Sequence, residues 1–93
     1  MRSVLKRALG AVLREYRVKR KIAQESMGPS QSYISNLEAG RWSPSLDKIE
    51  QMAAVLDVHP ATIIIAGYIR AEEQARTEEL IERIRCELKQ IEL

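Results

Sequence analysis

The chain has 93 residues, 45% of them apolar, with no Phe, one Trp and one Cys. That length suits one domain with a modest core of Leu, Ile, Val, Met and Ala, and a lone Cys excludes an intrachain disulfide or a Cys-based metal cluster. The net charge of +2 hides a split: residues 1–44 hold nine Lys/Arg against three Asp/Glu (+6), and residues 45–93 hold six against ten (−4). Three Pro and four Gly, with long runs free of both, predict an all-α protein. The longest uncharged run, from Val58 to Tyr68, contains His59 and Pro60 and is too short to cross a bilayer. Arg14 and Glu15 interrupt any signal-type apolar stretch, so a cytoplasmic location without a membrane partner is expected.

Leu5, Leu9, Val12, Leu13 and Tyr16 recur at helical spacing and predict a first helix over 3–20, with Gly10 tolerated inside it. Its second half is basic, with Arg14, Arg17, Lys19, Arg20 and Lys21 inside eight positions. A short second helix is predicted from Ile22 or Ala23 to just before Gly28-Pro29, where proline removes a donor and restricts its predecessor. Ser30 can cap a third helix whose inward face is Tyr33, Ile34 and Leu37 and whose outward face is Gln31, Ser32, Ser35 and Asn36. Gly40 then supplies a left-handed stop.

Ser43 or Ser45 caps a fourth helix, Pro44 is compatible with its start, and Leu46, Ile49, Met52, Ala53 and Leu56 form its buried stripe. Asp57 to Pro60 makes a turn. The fifth helix, started by Pro60, is almost wholly apolar through Ile65, as expected of a central helix packed on several sides. Ala71 to Leu93 predicts a sixth, highly charged helix with the stripe Leu80 or Ile81, Ile84, Leu88 and Ile91.

An outward helix face of amides and hydroxyls beside a basic patch points to nucleic acid. Basic surface attracts phosphates by steering and counterion release. A helix fits the major groove, where each base pair presents its own donor and acceptor pattern. An idle solvated face would usually carry Lys or Glu, whereas this one carries no charge until Glu38. Gln31 suits bidentate contact with adenine or, equally, a phosphate, and Lys19, Arg20, Lys21 and the Ser30 helix start suit phosphates.

The strings LREYRVKRKIAQE and SQSYISNLEAGRWSPSLDKIEQMAAVLDVHPATI carry a resemblance to a known family. From Leu9 to Tyr68 the chain resembles the helix-turn-helix domain of the phage-repressor, Cro and Xre-like transcriptional regulators. Ile34, Leu37, Glu38, Gly40, Pro44, Leu46, Ile49, Ala53 and Leu56 match the family's framework. The resemblance implies a compact five-helix domain, here 1–68, and a two-fold dimer on double-stranded DNA; residues 69–93 are then left as a separate C-terminal helix segment. It implies that Gln31 and Ser32 are principal base-reading residues and Ser35 and Asn36 secondary ones. Gln24 would brace a phosphate and the first recognition glutamine, and Arg41 would face the DNA backbone. The chain departs from the family between Gln24 and Ser30, where it is shorter and carries Gly28-Pro29.

Glu38 lies close to the domain interior and is expected to form an internal ion pair or a helix-end hydrogen bond, with candidate partners that include Arg14 and Arg17. Trp42 is open to two readings, packed against the loop and the fourth helix or exposed beside the DNA backbone. Leu80, Ile81, Ile84, Leu88 and Ile91 are expected to pair with a second copy, with packing back on the domain or on another protein as the alternatives. Cys86 lies off that seam. His59, the only histidine, reads as a turn or capping residue. No HExxH or phosphate-binding glycine loop occurs, so no catalytic residue, metal or cofactor is expected. The competing reading is an antitoxin-type or adaptor module on the same scaffold.

Overall fold

In the computed structural model, which describes residues 2–73 and 76–93, the apolar positions of the first segment line one face of α1 (Ser3–Lys19). Leu5, Leu9, Val12 and Leu13 are buried there, where α1 packs along α4 (Pro60–Ala71) and against α2 (Gln31–Glu38). The other described elements are a 3-10 turn (Gln24–Ser26), α3 (Leu46–Leu56) and α5 (Thr77–Gln90), so the fold is all-α with no strand among the described residues. Leu13, Met27, Ile34, Leu37, Met52, Leu56 and Ile63 are the fully buried centre. No single helix among the described residues is long and apolar enough to cross a membrane.

Local chemistry sets the helix boundaries. Ser30 Oγ accepts from the Tyr33 amide at 3.2 Å and Ser45 Oγ from the Lys48 amide at 3.2 Å, each satisfying a first-turn donor. His59 Nδ1 accepts from the Ala61 amide at 3.0 Å, with Pro60 at the first helical position. At the end of α2, Gly40 takes φ +77°, and the Gly40 and Arg41 amides donate to Leu37 and Asn36 carbonyls at 3.0 Å each. The end of α1 repeats this pattern with Lys21 at φ +56°, its amide on Val18 and that of Ile22 on Arg17.

Gly10 is buried where α1 crosses α2, and a Cβ there would run into the backbone carbonyl oxygens of Leu37 and Glu38. In an open helix Gly→Ala would add about 1 kcal/mol through propensity. Here the obstructing atoms are backbone and cannot rotate aside, and overpacking costs about 1–3 kcal/mol. The clash wins: Gly10→Ala lowers the urea midpoint of unfolding. A raised midpoint would show that the two helices separate freely.

Four expectations need correction. The second predicted helix is a single 3-10 turn, because Gly28 at φ +107° and Pro29 leave no room for a further turn. That irregular stretch nevertheless buries Met27, which no periodicity marked. Leu46 is 70% exposed, not part of the α3 stripe. At 100° per residue it lies about 70° from the centre of the face formed by Ile49, Met52, Ala53 and Leu56. In α4 only Ile63 and Gly67 are buried, while Ile64, Ile65, Ala66 and Ile69 are half-buried. It packs mainly on α1 and α3, and the remaining face borders an open groove toward α5. The last helix begins at Thr77 instead of Ala71, because Glu72 and Arg76 are extended; positions 74–75 of the predicted helix lie outside the described residues.

Candidate nucleic-acid interface

Burying Ile34 and Leu37 turns the opposite face of α2 outward, so Gln31, Ser32 and Ser35 are exposed. Asn36 differs from them. It is half-buried, its Nδ2 donates to the Ser32 carbonyl at 2.8 Å, and its Oδ1 accepts from Arg41 Nη1 at 3.2 Å. Tyr33, expected inward, is half-buried, and burial lifts its hydroxyl above its ordinary pKa.

Beneath this face Glu38 forms an ion pair with Arg17, one of the candidate partners. Arg17 donates from Nε to Glu38 Oε2 at 2.6 Å and from Nη2 to Oε1 at 3.0 Å, a bidentate fork. The side chains are 14% and 6% exposed. Hydrogen bonding to Glu38, opposed by partial burial, lifts the Arg17 guanidinium further above its ordinary value. Arg17 Nη1 also donates to the Ile22 carbonyl at 3.0 Å, tying the chain after α1 to the same pair. Arg14 is exposed.

The fork extends to the surface through two amides. Gln24 Nε2 donates to Glu38 Oε1 at 3.0 Å, and Gln31 Nε2 donates to Gln24 Oε1 at 3.2 Å. These bonds join the 3-10 turn to both ends of α2, although the connection between them is short.

Lys19, Arg20 and Lys21 are exposed at the end of α1, leading into the turn that bears Gln24. The Arg20 guanidinium lies 5.1 Å from the Tyr16 ring centroid, a cation–π arrangement that partly orders it. Arg41 is exposed just beyond α2, and the Ser30 hydroxyl is engaged as the cap. The Trp42 ring is tilted against Tyr33 of α2 with centroids 5.6 Å apart, and 46% of the residue is exposed. Lys48 Nζ lies 5.6 Å from the Tyr33 centroid.

Farther along, Leu80, Ile81 and Ile84 of α5 are half-buried, while Leu88 and Ile91 are exposed, Ile91 one position past the helix. An open apolar groove runs between α4 and α5, lined by Thr62, Ile65, Ala66, Ile69, Thr77 and Ile81. The exposed pairs Arg83–Glu87 and Arg85–Glu82 decorate α5 and contribute little to stability. Cys86 is exposed, with Sγ 3.6 Å from Glu82 Oε1. Glu15 on α1 pairs with Arg70 on α4, whose hydrogen bond holds the Glu15 carboxyl below its ordinary value. No group of His, Cys, Asp and Glu is placed to hold a metal ion among the described residues.

A capped short helix, a tight turn braced against its first residue and a scaffold helix with a basic end form the arrangement that known families can be compared with. No match is found among curated proteins. A similar solved structure is that of the clp gene regulator ClgR from Corynebacterium glutamicum, 26% identical with a TM-score of 0.70, covering 89% of this chain and 93% of that one. Residues 8–63, which run from within α1 through the turn and α2 into α4, match the family model described as helix-turn-helix domain. On that match, the chain belongs to the helix-turn-helix domain family of DNA-binding regulators.

Proposed function

We propose that the chain is an Xre- and Cro-like, sequence-specific regulator that binds double-stranded DNA as a dimer on an inverted repeat and represses by occupancy. The observation that carries this reading is Gln31, braced at 3.2 Å by Gln24, between the uncharged exposed face of α2 and the basic end of α1. Gln31 and Ser32 are the principal base readers, with Ser35 and Asn36 secondary. Lys19, Arg20, Lys21, Gln24, Ser30 and Arg41 hold phosphates, which set register without reading sequence. Similarity to ClgR, described as a gene regulator, supports a role in transcription.

Residues 1–68 form the DNA-binding unit and 69–93 the pairing segment in this reading. Association through Leu80, Ile81, Ile84, Leu88 and Ile91 would cover apolar surface that a single chain leaves in water. A two-fold dimer presents two recognition helices about 34 Å apart, one turn of B-DNA.

Selection of bound sites from a random duplex pool, with stoichiometry measured on the winner, tests the whole reading. An inverted repeat bound by two chains supports it; failure to enrich any sequence overturns it. Arg20→Ala weakens all duplexes alike and lowers the slope of log K against log salt by about one unit. An unchanged slope removes Arg20 from the phosphate contacts. A protein partner in place of the second copy is the competing reading, favoured by a chain that sediments as a monomer and lacks salt-sensitive duplex binding.

A further inference from the structure

The Arg17–Glu38 pair does more than close the gap between α1 and α2, because its polarity propagates outward. A carboxylate in an ion pair only accepts hydrogen bonds, so Gln24 must turn its NH2 group toward Glu38. That leaves the Gln24 carbonyl oxygen facing Gln31, and a carbonyl also only accepts. Gln31 must therefore give one N–H to Gln24, which it does. Each amide orientation follows from the chemistry of the one below it.

The consequence falls on Gln31, which retains Oε1 as acceptor and one N–H as donor. Adenine offers a matching edge in the major groove, the N6 donor beside the N7 acceptor. Guanine offers two acceptors, O6 and N7, so one would oppose Gln31 Oε1. Flipping the amide to suit guanine would set two carbonyl oxygens, of Gln24 and Gln31, against each other.

We propose that Glu38, held by Arg17, is a specificity-determining positioning residue: acting through Gln24, it orients the Gln31 amide and restricts one base position to adenine over guanine. This rests on Gln31 being a base reader. Glu38 itself touches no base; only the order of donors and acceptors reaches the surface.

The test compares adenine and guanine at each position of the selected site for the full chain and three variants. The wild type favours adenine over guanine at one position by tenfold or more, as expected for a bidentate contact. Glu38→Gln, whose amide can donate or accept, reduces that ratio to a few-fold or less while preferences at other positions persist. Gln24→Met leaves the buried ion pair in place, cuts the relay and has the same effect, so it decides the matter if Glu38→Gln does not fold. A merely structural role would lower affinity for all sequences without moving this single ratio. Retention of the wild-type ratio in Gln24→Met overturns the relay. Gln31→Ala separates the two ideas: if it changes no base preference, the base-reading assignment fails, whereas a lost preference with an intact Gln24→Met ratio sinks the relay alone.

Discussion

Replacing Arg17 with Leu destabilises the fold by about 3–5 kcal/mol, measured by urea unfolding near neutral pH. The substitution leaves the Glu38 carboxylate, 6% exposed, with only the Gln24 amide as a neutral partner. A buried charge stripped of its counter-ion keeps its desolvation cost and loses the attraction that offset it. Set against a typical domain stability of about 5–15 kcal/mol, the loss is a large share. Adding Glu38→Leu recovers much of it, since two packed apolar groups need no solvation. A loss below about 1 kcal/mol would place the pair with ordinary surface salt bridges.

Introducing charge into the α5 seam has the second large effect. Ile81→Glu with Ile84→Glu converts the proposed dimer to a monomer in sedimentation. The substitutions lower affinity for the inverted repeat by about 10²–10⁴-fold, toward that of a half-site. Two half-sites engaged by one dimer gain from effective concentration, and no single-chain contact replaces that gain. Both residues are already half in solvent in the single chain, so helical content and unfolding of residues 2–73 change little. The cost appears on pairing, where carboxylates would have to leave water. A double variant that stays dimeric, with repeat affinity intact, rules out this seam as the pairing surface.

The pattern of the candidate site was legible because much of it is local. Ser30 and Ser45 act as caps and Gly40 as a left-handed stop, each through bonds within a few residues. The uncharged outward face of α2 followed from Ile34 and Leu37 alone. The choice of Arg17 over Arg14 was not legible, since both lie on the basic half of α1 and only the crossing with α2 brings one within 2.6 Å of Glu38. Gly10 read as a tolerated weakness in a helix, because its value lies in a neighbouring backbone distant in sequence. Leu46 misled through spacing that fits a helix yet sits at the edge of the buried face.

By itself, the sequence determined the helical class, most helix boundaries and the charge asymmetry, since these depend on periodicity, capping and composition within a turn or two of chain. The tertiary structure alone decided that Arg17, Glu38, Gln24 and Gln31 form one connected line, that α4 keeps a half-open face and that Met27 belongs to the core. Those facts depend on how elements far apart in the chain meet, and a distance between side chains 21 positions apart is set by packing, not by any local preference.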